Sequence, residues 1–245
     1  EGMGTKMAMI EYALDGSCAF VTLNRGEIRF NIRVVERFLT VLDEIEHGTD
    51  ADALVVRSAH EKIFCNGIDL DWLRPIAEAG ERETIREFCR ILNRLLGRIL
   101  MYPMPTIAAI TGHAFAGGAI MCCCFDFRFM RSDRGFFCFP EVDLGIPFWP
   151  GMVAMVKKAI PAQILDDLYY LGTRLTGREC EEHRIVRRAL PMDELMPEVL
   201  AFAKSLRKNR AYYSAQKGRM NRGIIRLMEE EAPAVIGTGK IPVGP

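Results

Sequence analysis

Short apolar runs bounded by turn residues recur through the first two thirds of this chain, alternating with stretches of helical spacing. Ala53 to Arg57 and Thr106 to Thr111 read as buried strands, because they are short, largely apolar and flanked by turn signals. Between them, Val35, Phe38, Leu39, Leu42 and Ile45 share one helical face over about 31–46, with Asn31 placed to cap it. A second face, Ile85, Phe88, Leu92, Leu95, Leu96 and Ile99, marks a helix over about 83–100 that Pro103 and Pro105 end. Recurring strand, helix, strand order predicts an α/β architecture with buried sheets.

The remaining elements fit that plan. Met9 to Leu14 and Cys18 to Asn24 predict two strands joined by a turn at Asp15-Gly16. His60 to Asp69 reads as a loop. Gly112 turns the chain, and Gly117-Gly118 open an apolar helix that runs to about Phe125. Strands are predicted at 127–130 and 136–139, short helices at 150–159, 163–171 and 178–183, and a strand at 185–190. Longer helices are predicted at 193–209 and 211–231, followed by a loose tail after Pro233. The expected organisation is a core over 7–190 and C-terminal helices over 191–245.

Composition narrows the function classes only a little. Formal net charge is zero over 245 residues, so global charge favours neither a polyanion nor a membrane partner. No run is apolar for long enough to span a bilayer, and the N-terminal residues lack the order of a signal peptide. The eight cysteines lack CxxC spacing, and three of them are consecutive, Cys122 to Cys124. Free thiols in a reducing, cytoplasmic compartment are expected, with no metal site. The last residues show no peroxisomal address. From Val199 to Met228 the chain carries eight basic residues and no acidic one, which reads as a solvated helix face or a nucleic-acid contact.

Three segments could carry chemistry. Phe64-Cys65-Asn66-Gly67-Ile68-Asp69-Leu70 follows a strand, and Gly112 to Ala119 joins a strand to an apolar helix. Helix N-termini leave backbone N–H groups unpaired, and glycine lets a ligand approach them. Two such groups converging on one oxygen would make an oxyanion hole. Each turn alone also fits a plain tight turn, and neither fits a Walker A loop. In the third segment Glu141 follows Phe136-Phe137-Cys138-Phe139-Pro140. A carboxylate there is either desolvated, and so a usable base, or an exposed strand end. His113, Asp69 and Asp143 read as packing or hydrogen-bonding groups rather than proton carriers.

Taken together and in order, these segments resemble the crotonase (enoyl-CoA hydratase/isomerase) superfamily over roughly 8–190. Thr22-Leu23-Asn24-Arg25 followed by Asn31 is similar to its N-terminal signature. The resemblance implies a spiral of ββα units forming two nearly perpendicular sheets, with C-terminal helices for assembly and as a lid over coenzyme A. It implies oxyanion amides on Ile68 and Gly117, and coenzyme A contacts from Arg25, Arg29, Phe64, Cys65, Gly67 and Lys217. Leu73, Phe148 and Trp149 are candidates for the acyl pocket. No cofactor is expected, since coenzyme A belongs to the acyl-CoA substrate, and neither nucleic acid nor a membrane is an expected partner. A homotrimer or hexamer is implied.

One departure sharpens the expected activity. The family's hydratases carry two glutamates, and this chain has Ile120 at the position of the first. A single base suffices to take a proton from C2 of a 3-enoyl thioester and return one to C4. Ile120 with Glu141, together with Asp133-Arg134-Gly135-Phe136 before it and Pro147-Phe148-Trp149 after it, resembles the Δ3,Δ2-enoyl-CoA isomerases of fatty acid β-oxidation. A hydratase, a thioesterase or a non-catalytic acyl-CoA-binding protein on the same fold are the alternatives.

Overall fold

The hairpin is where the turn signal puts it. In the computed structural model, which describes residues 9–24 and 26–239, β1 (Ile10–Asp15) and β2 (Cys18–Leu23) pair antiparallel, with Asp15 opposite Cys18. Helix α1 (Ile32–Gly48) follows, and the Asn31 side chain accepts a hydrogen bond from Val34 N at 3.1 Å. Its buried face is Val34, Val35, Phe38, Leu39, Val41, Leu42 and Ile45.

From here the chain repeats one move. It lays a strand in a large sheet, crosses to a small sheet, and returns by a helix. β3 (Ala53–Ser58) leads to β4 (Ile63–Cys65), then α2 (Leu70–Glu78) and α3 (Arg82–Leu100). β5 (Thr106–Ile110) leads to β6 (His113–Phe115) and α4 (Gly117–Cys124). β7 (Phe127–Arg131) leads to β8 (Phe136–Cys138) and the one-turn helix α5 (Glu141–Leu144). The large sheet runs β1-β2-β3-β5-β7-β10 and the small one β4-β6-β8-β9. Both are mixed, because only β1 with β2 and β8 with β9 pair antiparallel. Two of these elements differ from expectation. The predicted 60–69 loop contains β4, and the Gly112–Ala119 turn contains β6. Three-residue strands carry too little periodicity to be read from sequence.

The C-terminal third is helical. It comprises α6 (Pro150–Ala159), α7 (Ala162–Leu171), the two-residue strand β9 (Leu175–Thr176), α8 (Gly177–Glu182) and β10 (Arg188–Leu190). Then come α9 (Met192–Ser205), α10 (Arg210–Met220), α11 (Arg222–Arg226), a π-helical turn (Leu227–Glu231) and α12 (Ala232–Ile236). The large sheet is covered on both faces. Helix α9 buries Leu195, Val199 and Ala203 against Val55, Ile107 and Phe129. The other face holds the main core, to which α1, α3, α4 and α6 contribute. The tail predicted loose after Pro233 instead begins with α12, where Pro233 occupies the first helical turn, a place its fixed φ suits. No described helix is long and apolar enough to cross a membrane.

Candidate active site

Two backbone segments from different turns of the spiral meet at one point. Phe30 N–H donates to Gly67 O at 2.6 Å and Asp69 N–H donates to Phe30 O at 2.9 Å, in a parallel bridge between Phe30 and Ile68. That bridge uses the groups on either side of Ile68, so the Ile68 amide itself points away from it. Gly117 is the first residue of α4, where backbone N–H groups have no intrahelical acceptor. Among the described residues, neither amide donates to a backbone carbonyl. A Cβ on Gly67 would stand 2.6 Å from Gly117 N, and Gly67 has φ +76°, so only glycine lets the two segments touch. Ala116, just before Gly117, holds φ +51°, an uncommon conformation for a residue with a side chain. Strain of this kind, next to an unpaired amide, persists only where the surrounding packing over-determines it.

Glu141 opens α5 immediately after Pro140, on the same cavity. It is 7% exposed, and its Oε2 has no hydrogen-bond partner. Burial pushes its pKa up to about 8, against a smaller lowering by a backbone hydrogen bond. An unpartnered buried carboxylate is costly unless it carries a proton, so the fold holds Glu141 ready to exchange one. The exposed strand-end reading is thereby excluded.

The cavity opens to solvent, and about 800 Å³ of empty space lies within and in front of it. Ile68, Ala116 and Gly117 line one part of it. Ile120, Leu144, Ile146, Pro147, Phe148, Trp149, Leu70, Leu92, Met152 and Val235 supply an apolar wall. Glu141 is the only titratable side chain in the described lining, and Asn66 is the other strongly polar one. Phe148 is held edge-on between Phe139 and Tyr169, with ring centroids 5.7 and 5.0 Å away. Among the described residues no group of three or more His, Cys, Asp or Glu side chains is placed to hold a metal ion.

The structure brings together Glu141, Ile68, Gly117, Phe148 and Trp149 as expected from sequence, and moves others. Leu73 is fully buried in the core, because α2 turns it inward. Leu70, one turn earlier, lines the cavity instead. Phe64 and Cys65 are fully buried by their place in β4, so Asn66 presents the loop to the cavity. Arg29 bridges Glu27 and Asp71, each at 2.8 Å, on the surface beside this loop. Arg25 lies outside the described residues.

Lys217 requires a correction. It is 5% exposed, and its Nζ pairs with Asp126 Oδ2 at 2.8 Å and donates to Met104 O at 3.2 Å. An ammonium committed inside the fold is not available to a phosphate, and Lys217 does not line the cavity. Most of the basic stretch around it is a solvated face, with Lys204, Arg207, Lys208, Arg219, Arg222 and Arg226 exposed. Lys204 pairs with Asp15, and Arg210 donates to the carbonyls of Glu46, Thr49 and Ala51 at the end of α1. Leu70, Leu92, Met152 and Val235 escaped the sequence reading, since an apolar residue on a helix face looks alike whether it faces a core or a cavity. His113 lies outside the cavity, where its Nδ1 accepts from Phe136 N at 3.2 Å, and Asp69 caps α2 by accepting from Trp72 N. All eight cysteines are buried and free.

Comparison with known proteins agrees with this geometry. Residues 14–234 match the family model described as enoyl-CoA hydratase/isomerase. Enoyl-CoA delta isomerase 3 of Arabidopsis thaliana is 32% identical over 166 residues, which are 67% of this chain and 69% of that protein. Enoyl-CoA delta isomerase 2, peroxisomal, of the same plant is 30% identical over 63% of this chain and 65% of its own length. The matches therefore span about two thirds of these relatives. A putative enoyl-CoA hydratase of Thermus thermophilus is 30% identical over 79% of this chain and 76% of that protein. In fold, the chain is similar to a crystal structure of a probable enoyl-CoA hydratase, EchA3, from Mycobacterium tuberculosis. The TM-score is 0.85 at 19% identity, covering 94% of this chain and 96% of that one.

Proposed function

This chain belongs to the enoyl-CoA hydratase/isomerase family, and within it we propose that the protein isomerises 3-enoyl-CoA to trans-2-enoyl-CoA. The observation that carries this reading is the single titratable side chain among the described residues of the cavity, Glu141, with Ile120 on the same wall where a second carboxylate would stand. The thioester oxygen sits on the amides of Ile68 and Gly117. The Glu141 carboxylate takes a proton from C2, and the charge spreads onto that oxygen, where donors already in place stabilise it without reorganising. The neutral acid then returns a proton to C4. A pKa near neutrality suits a group that must both take and give a proton in each turnover. Hydration would instead need a second group to place water, and Ile120 cannot do that.

The test runs two assays on the same protein, isomerisation of a 3-enoyl-CoA and hydration of a 2-enoyl-CoA. Isomerisation exceeding hydration by about a hundredfold or more is expected, the scale on which losing one general catalyst is felt. Hydration at a comparable rate would replace the isomerase reading with that of a hydratase. For assembly, we propose a homotrimer or hexamer, and exposed Val142, Tyr170 and Leu171 on α5 and α7 are apolar surface that association could cover. The mass in solution checks it.

A further inference from the structure

We propose that the C-terminal segment 227–239 gauges acyl-chain length, with Val235 as the residue that sets the limit. The inference rests on the reading of this cavity as an acyl-thioester site.

Part of the apolar wall is fixed in the core, while Leu144 and Pro147, beside Glu141, are exposed. Leu92 of α3 and Met152 of α6 are 1% and 7% exposed, and they cannot shift without disturbing neighbouring helices. Val235 differs. It belongs to the five-residue helix α12, it lines the same cavity, and it remains 39% exposed. A branched side chain held at the rim of an apolar cavity takes up the space that a longer chain would need.

Why α12 sits there follows from its anchors. The π-helical turn before it inserts one extra residue per turn and directs Met228 inward, where it is 5% exposed. Met228 fills a slot between two helices that glycines keep open. A Cβ on Gly151 would stand 2.5 Å from Met228 Cγ, and one on Gly97 would stand 3.1 Å from its Cε. The Asn93 side-chain amide donates to Met228 O at 3.1 Å, and Arg86 Nε donates to Gly237 O at 2.9 Å. The segment is thus pinned on both sides of Val235, and Val235 is held over the cavity between the two pins. An acyl chain long enough to reach this rim of the cavity would meet Val235.

Binding of unreactive thioesters tests this apart from turnover. Butanoyl-CoA and dodecanoyl-CoA are titrated by calorimetry into the parent protein and into Val235→Trp and Val235→Ala. The indole should lower dodecanoyl-CoA affinity at least about tenfold, the effect of leaving two methylenes in water, and change butanoyl-CoA affinity by less than about twofold. Alanine should shift the ratio of the two affinities the other way by a few fold, and this variant carries the test if the tryptophan variant does not fold. An affinity ratio unchanged in a folded variant overturns the gauge while leaving the thioester site standing. Failure of the parent to bind either thioester overturns the site reading, and the gauge falls with it.

Discussion

Two carboxylates in this protein, one half-buried and one buried, have opposite fates. Asp126 Oδ2 accepts hydrogen bonds from Thr106 N at 2.9 Å, Thr106 Oγ1 at 3.0 Å and Tyr213 OH at 3.1 Å, and it pairs with Lys217 Nζ at 2.8 Å. Glu141 has an oxygen with no partner at all. Both acids are largely shielded from water, the Asp126 side chain at 14% and Glu141 at 7% exposure, so burial alone does not separate them. What separates them is whether the fold supplies partners. Asp126 is a joint that ties α10 to the start of β5. Glu141 is left with an unmet demand for a proton, and it faces a cavity that also exposes two unpaired amides.

The largest expected effect is on Glu141. Replacing it, as Glu141→Gln, keeps the shape and removes the proposed base. We expect kcat for 3-enoyl-CoA isomerisation to fall by about a thousandfold, with thioester affinity changed less than about threefold. The same variant should be more resistant to heat than the parent at pH 9. The folded protein holds a proton on Glu141 up to about pH 8, whereas the unfolded chain releases it near 4.5. That contribution to stability is complete below pH 4.5 and is lost as pH rises through 8. Melting curves of the two proteins at pH 5 and pH 9 check the sign.

Asp126 and Lys217 should show the reverse pattern. Lys217→Met leaves the half-buried Asp126 carboxylate short of its countercharge, at a loss of about 2 kcal/mol of stability. If Lys217 instead held a coenzyme A phosphate, the variant would raise KM tenfold or more and leave the melting temperature alone. We expect KM within about threefold of the parent and a clear drop in melting temperature.

Gly67→Ala pushes a methyl group against Gly117 N and forces an unfavourable φ. Turnover is expected to fall about a hundredfold, the effect of misplacing one oxyanion donor. A purely structural loop would instead lose stability and keep the turnover of its folded fraction. The smallest effect is on the pH profile. Since the carboxylate is the active form, kcat/KM should rise with pH to a plateau with an apparent pKa near 8. A plateau already reached by pH 6 would place the essential base elsewhere.

Sequence carried the spiral and its chemistry unevenly. The helices at α1 and α3 were legible because each places an apolar residue on every turn over four or more turns. The order of the three site segments was legible because glycine and proline mark backbone constraints directly. The pairing of Lys217 with Asp126 was not legible. The two residues are far apart in the chain, and nothing local distinguishes a buried lysine from seven other basic residues nearby. Leu73 and Leu70 show the same limit at shorter range, since a three-residue offset decides which faces the cavity, and the start of α2 sets that offset. Val235 was hidden for another reason. Its position depends on the π-helical turn and on Met228 meeting Gly97 and Gly151, contacts that no periodicity records.

The contrast between the two carboxylates comes down to one proton at one carbon. Incubating the protein with an acyl-CoA in deuterated water and following C2 by mass spectrometry or NMR reads it directly. Deuterium should enter C2 with the parent protein and with Lys217→Met, and should not enter with Glu141→Gln although that variant still binds the thioester. Entry at the parent rate in Glu141→Gln, or no entry in any of the three, would contradict the role of Glu141.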